Sequence, residues 1–314
     1  MKKILTYIRT YFLEDLKPGY LLFIVLFLSA SIFVEYNWNI ERIFFIKYRE
    51  KPAMGVFYFL FYGLPFVTAY LAYAIFYKRY DVVKNYKFWV LSFVALAIYG
   101  FRCYSHHLEF WTRDYFIGRN DLYYYLFLSR QINQALLLFI PTIVLWFFLH
   151  RKEQSLYGFS LKGVDIRPYL WMLLIMLPII GYVSTFQSFQ DFYPLVDNIP
   201  GIKYVTWFDK VKVVVYELFY AFDFLSNEFF FRGFLILAFV RFAGKGAIMP
   251  MVCWYVFIHF GKPLGETISS FFGGLILGIL AFETRSIAGG VIVHIGIALM
   301  MDMFGFLSKI FEKG

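Results

Sequence analysis

The chain of 314 residues is 61% hydrophobic, 24% aromatic and only 16% charged, with a mean hydropathy of +0.64. Soluble globules average about 45–50% apolar and about 25% charged residues, so this chain carries more apolar surface than one water-soluble core can hide, and disorder, a collagen-like fibre and a soluble enzyme are excluded together. The net charge of +9 comes from 30 Lys and Arg against 21 Asp and Glu. Most of these cations stand between apolar runs, where they set topology and meet anionic lipid rather than nucleic acid.

Met1–Lys17 (MKKILTYIRTYFLEDLK) carries both signs of charge and reads as a short amphipathic lead-in, not a signal peptide. The charge-free runs that follow are Pro18–Val34, Pro52–Tyr77, Phe88–Phe101, Gln131–His150, Pro168–Gln190, Gly246–Gly261, Thr267–Phe282 and Ser286–Met301. A helix needs about 20 apolar residues to cross the hydrocarbon layer. The second, fourth and fifth runs suffice alone; the others need polar flanks or protein neighbours, and Phe88–Phe101 is the shortest. Val211–Val240 is also apolar but holds Lys212, Glu217, Asp223, Glu228 and Arg232. The expectation is an all-α polytopic membrane bundle of eight or nine transmembrane helices.

Lys2, Lys3, Arg9 and Lys17 favour a cytoplasmic N-terminus. Lys78, Arg79, Lys84 and Lys87 against Asp81, the basic stretch His150–Arg167 and the acidic stretch Asp191–Asp209 alternate consistently with that orientation. Residues 1–150 are aromatic-rich, with no polar cluster expected inside a span, and read as accessory helices. Residues 151–314 read as the core, holding the intramembrane ionisable groups, and no repeat or linker separates the two within the single bundle. Cys103 and Cys253 form no disulfide framework or zinc spacing and read as apolar residues.

Charges inside a bilayer cost about 2.5–3.5 kcal/mol each and face a partner or cavity. Glu228 and Arg232, at i and i+4, share a helix face. His259 follows on the next run, then Gly261-Lys262-Pro263 and Glu266; His294, Ala298 and Asp302 share a face of the last run. A carboxylate or His in an apolar cavity suits general-base attack by water. Glu228, His259 and His294 would alternatively hold a divalent metal, although no zincin spacing is present.

These residues resemble the CAAX-protease and bacteriocin-processing (CPBP, or Abi) intramembrane peptidases, a family marked by EExxxR, FxxxH and HxxxN. The counterparts here are Asn227-Glu228-xxx-Arg232, Tyr255-xxx-His259 and His294-xxx-Ala298, spread over about residues 165–307. The resemblance implies a hydrolase cleaving a membrane-associated or lipidated peptide, set in a plasma (inner) membrane among lipids and a possible membrane-protein partner. Three positions depart from the pattern: Asn227 replaces the Glu implied to activate water, Ala298 replaces the Asn implied to stabilise the oxyanion, and Tyr255 replaces Phe. Asn227 cannot accept a proton as a base, which leaves Glu228, or Glu266 folded back by the Gly261–Pro263 turn, to supply the carboxylate.

Each position also has a plainer reading. Glu228–Arg232 is a buried ion pair fixing helix orientation, His259 and His294 are satisfied interhelical hydrogen-bonders, and Glu266 and Lys262 are a solvated turn. Glu217, Asp223 and Asp302 are polar cavity or interface residues, the paired glycines mark close helix packing, and His106-His107 is solvent-exposed. Beside the peptidase stand two alternatives, a catalytically silent membrane scaffold and a proton-coupled transporter.

Overall fold

The computed structural model describes residues 2–48, 51–119, 121–160, 164–199 and 207–311. Parts of two connections read for charge, 161–163 and 200–206, lie outside the described residues, as do Met1 and the last three residues. Among the described residues the protein is helical without strands: α1 (Lys2–Thr10), α2 (Pro18–Trp38), α3 (Ile40–Tyr48), α4 (Ala53–Tyr77), α5 (Tyr80–Lys84), α6 (Tyr86–Tyr104), α7 (His107–Phe116), α8 (Leu122–Leu145), α9 (Arg167–Val183), α10 (Gln187–Gln190), α11 (Trp207–Glu228), α12 (Val240–Ala243), α13 (Ile248–Phe257), α14 (Leu264–Thr284) and α15 (Ala288–Phe311). In lipid a backbone must satisfy its own hydrogen bonds, and a helix does so within one segment. Pro18 opens α2 at its first turn, where no amide hydrogen is needed, and Asn39 closes it in the left-handed region.

Among the described residues, seven helical runs are long and apolar enough to cross a membrane: Pro18–Trp38, Ala53–Tyr77, Tyr86–Phe116, Leu122–His150, Trp207–Phe257, Leu264–Thr284 and Ala288–Lys309. The protein is an integral, multi-pass membrane protein. Trp207–Phe257 contains a turn at Gly244, where φ is +57°; beyond it α13 folds back so that Trp254 meets Phe230 and Phe231. The charge-free run Pro168–Gln190 behaves differently from its composition: α9 ends at Val183. There the Ser184 and Thr185 hydroxyls donate to the carbonyls of Gly181 and Tyr182, and Phe186 is extended. At 17 residues α9 is about 25 Å long, short of the hydrocarbon thickness.

The chain forms two compact units. The first comprises 1–104, 137–164 and 228–290. Its centre is Trp254, fully buried, whose ring lies 6.0 Å from Tyr62, 5.2 Å from Phe66, 5.5 Å from Tyr99 and 5.6 Å from Phe230. The aromatic side chains of α4 and α6 thus pack around α13. Close approach of α4 and α6 depends on glycine, since a Cβ on Gly100 would come within 2.8 Å of the Gly55 carbonyl oxygen.

The second unit comprises 105–136, 165–227 and 291–314. One cluster gathers Tyr124, Val196, Ile199 and Tyr216, and another gathers Ile180, Phe189 and Tyr193. Asp302, buried, accepts the Leu195 amide hydrogen at 2.7 Å. A polar cluster also lies in the first half of the chain, between the charge-free runs that end at Phe101 and begin at Gln131. Glu109 accepts two hydrogen bonds from the Arg130 guanidinium, at 3.1 and 2.9 Å, and contacts His106 Nδ1 at 2.9 Å. His107 is exposed as expected, but His106 belongs to this triad.

Candidate active site

The stretch that follows α11 is π-helical, Phe229–Ala238, and entirely buried. π-helical insertions recur at functional sites. Glu228, the last residue of α11, immediately precedes this stretch and Arg232 lies one turn along, both fully buried, with Arg232 Nη1 2.7 Å from Glu228 Oε1. The i, i+4 pairing expected from the sequence is present. The Arg232 guanidinium also lies 4.0 Å from the centre of the Tyr255 ring. Such a cation–π contact is worth about 2 kcal/mol when desolvated.

The other carboxylate oxygen of Glu228 is placed by α15. A Cβ on Gly290 would fall 2.3 Å from Glu228 Oε2, so this position admits only glycine while the carboxylate stays where it is. Among the paired glycines of the sequence, Gly290 therefore does more than let helices approach: it makes room for a charged side chain.

Tyr255 also organises His259. The two rings are 4.6 Å apart, and His259 Nδ1 is 2.8 Å from the Tyr255 carbonyl oxygen. A carbonyl only accepts, so Nδ1 carries a hydrogen, and in the neutral ring Nε2 carries the lone pair. That is the tautomer a general base or a metal ligand needs. One residue thus bears Arg232 on its ring and His259 on its carbonyl.

Beyond His259 the chain turns through Gly261, φ +80°, into α14. Glu266, in the first turn of α14, pairs with Lys262 at 2.5 Å. The carboxylate that the sequence offered in place of the Glu missing at 227 is engaged by the lysine four residues before it.

In the second unit, the Asn227 side-chain amide donates to the Asp223 carbonyl at 2.9 Å and to Asp223 Oδ2 at 3.1 Å. Ser226 Oγ donates to the same carbonyl at 2.7 Å. Asp223, read from sequence as a cavity or interface residue, binds the turn that follows it. His294 packs edge-on against Phe224, with ring centres 4.4 Å apart, and Ala298 is buried. Among the described residues, no group of three or more His, Cys, Asp and Glu side chains is arranged to hold a metal ion.

Sequence reasoning missed Gly290 and the double role of Tyr255. The first depends on a contact 62 residues away in the chain; the second is a backbone carbonyl, for which side-chain identity gives no signal. Residues 210–300 match the family model described as type II CAAX prenyl endopeptidase, Rce1-like. The motif resemblance to a CPBP-type membrane peptidase holds over this segment, which contains Asn227, Glu228, Arg232, Tyr255, His259, Glu266, His294 and Ala298. No curated protein and no solved structure matches the chain.

Proposed function

We propose that this chain is an intramembrane endopeptidase of the CPBP type, hydrolysing a membrane-associated or lipidated peptide. The observation that carries this reading is the Tyr255 arrangement: a buried carboxylate–guanidinium pair on one side of a ring, and a histidine fixed in one tautomer beside it. Purely structural ion pairs have no need of a neighbouring histidine held with its lone pair on Nε2.

In the proposed reaction a water oxygen bonds to the scissile carbonyl carbon while its proton passes to His259 Nε2. The tetrahedral oxyanion then collapses, the C–N bond breaks, and the proton goes to the leaving amine. Glu228 positions that water and stabilises the imidazolium, and Arg232 holds Glu228. The motif assigns His294 to binding the water or polarising the carbonyl. Glu266, paired with Lys262, serves the turn.

Oxyanion stabilisation is usually a large part of such catalysis. Ala298 has no donor, and the Asn227 amide hydrogens are directed to Asp223, so turnover is slow. We assign the protein to a plasma (inner) membrane with a cytoplasmic N-terminus, which the basic residues Lys2, Lys3, Arg9, Lys78 and Lys84 support.

The test is cleavage of prenylated peptides by the full chain in lipid nanodiscs. His259→Ala and Glu228→Gln lose at least about a hundredfold in kcat; undiminished cleavage by His259→Ala sinks the assignment. The engagement of Asn227 with Asp223 favours one other reading, a silent scaffold of the same fold, in which both variants keep partner binding and the wild type cleaves nothing.

A further inference from the structure

The residues of the motif lie within 210–300, yet the turn that carries His259 is held from far outside that segment. His259 stands just past α13, its amide hydrogen bonded to the Val256 carbonyl at 3.0 Å. Its own carbonyl accepts the Thr267 hydroxyl hydrogen at 2.6 Å. The Tyr36 hydroxyl, from the last turn of α2, lies 2.5 Å from the Lys262 carbonyl oxygen and 2.7 Å from Thr267 Oγ1. Two hydroxyl protons serve these three contacts. Carbonyls only accept, so the Thr267 proton serves His259 and the Tyr36 proton serves Lys262, with Thr267 Oγ1 beside it as a second acceptor. Tyr36 thus spans the turn, touching the residue after Gly261 and the side chain that grips His259.

The end of α2 is itself fixed. Glu35, 5% exposed, accepts the Glu41 amide hydrogen at 3.2 Å on each carboxylate oxygen. Asn39, at φ +48°, turns the chain into α3, and the Tyr58 hydroxyl donates to Glu41 Oε1 at 3.2 Å. Tyr36 therefore reaches the turn from a braced corner, and its hydroxyl–hydroxyl contact is with a side chain that is fully buried.

We propose that Tyr36, acting through Thr267, is a positioning residue for His259. It fixes the backbone on either side of Gly261, so that the imidazole keeps its Nδ1–H on the Tyr255 carbonyl and presents Nε2 to the water. The inference rests on the peptidase reading for its catalytic consequence but not for its structural one. It also gives the aromatic N-terminal half a task in the chemistry that the family match does not reach.

The experiment uses the full chain in nanodiscs with 15N-labelled histidine, reading the Nδ1-protonated fraction of His259 from its side-chain nitrogen shifts, alongside kcat and KM on a prenylated peptide. The His259 signal is assigned by its loss in His259→Gln. Tyr36→Phe removes only a hydroxyl. It is expected to lower kcat about fivefold, the worth of one net hydrogen bond, with KM unchanged within about twofold and a smaller Nδ1-protonated fraction. Thr267→Val moves both readouts in the same direction, and the double variant is no worse than the worse single, as for residues acting in one chain of contacts. If Tyr36→Phe does not fold, Thr267→Val alone decides. Full kcat with an unchanged tautomer in these variants overturns the proposal, and so does a fall in kcat with the tautomer unmoved. Cleavage that survives His259→Ala overturns the peptidase reading instead, and the tautomer measurement still decides the positioning role.

Discussion

Arg232→Ala is the substitution with the largest consequence that can be worked from the structure. Both members of the Glu228–Arg232 pair are fully buried at 2.7 Å. Removing the guanidinium leaves a carboxylate with no water to solvate it, and breaking a buried pair from one side costs about 3–5 kcal/mol. Loss of the contact 4.0 Å over Tyr255 adds about 1–2 kcal/mol. Glu228→Gln strands the guanidinium and costs a similar amount. The double variant Glu228→Gln/Arg232→Ala leaves no buried charge, so it recovers at least about 2 kcal/mol relative to the sum of the singles. Equilibrium unfolding of the four proteins by a denaturing detergent in mixed micelles measures this cycle. All three variants are inactive in cleavage, so stability and activity separate in the double variant. Single substitutions costing under about 1 kcal/mol, or strict additivity, refute the reasoning that the pair is desolvated and mutually dependent.

Three further outcomes follow from other parts of the molecule. Gly290→Ala places a methyl 2.3 Å from Glu228 Oε2, so it lowers stability by about 1–3 kcal/mol and reduces kcat; wild-type values for both in the nanodisc assay would contradict the contact. Trp254→Ala, at the centre of the first unit, costs about 3–5 kcal/mol in the same unfolding measurement, and a cost under about 1 kcal/mol argues against the packing. Burial pushes the Glu41 carboxyl from its ordinary 4.5 up to about 7, against the lowering effect of the Tyr58 hydroxyl. The native state therefore holds a proton that the unfolded state has released, and stability falls as pH rises from about 4.5 to 7 and levels off above, by at most about 3 kcal/mol. Glu41→Gln flattens that slope; an unchanged slope means another group is responsible.

Elements built from local pattern were legible in the sequence. Pro18 and Pro52 each stand where a charge-free run begins, and α2 and α4 begin there or one residue later. The Glu228–Arg232 spacing states its own pairing, because a helical turn brings i and i+4 together. What depended on distant partners was not legible. Pro168–Gln190 has the composition of a span, but the Ser184 and Thr185 hydroxyls compete for the preceding carbonyls and α9 stops. Glu109 and Arg130, 21 residues apart in sequence, form a bidentate pair that no spacing rule predicts. At the candidate site, the type of each motif residue was readable, but Gly290 against Glu228 and Tyr36 beside Thr267 were not. Each joins segments that no spacing rule connects, the second across 231 residues.

The central claim is that Glu228 and His259 serve hydrolysis of a peptide bond by water. The most direct measurement is mass spectrometry of a prenylated peptide incubated in 18O-enriched water with the nanodisc-embedded protein. The account predicts one 18O in the newly formed carboxylate from the wild type, and no cleaved product from His259→Ala or Glu228→Gln. Intact peptide from the wild type, or labelled product from both variants, contradicts it.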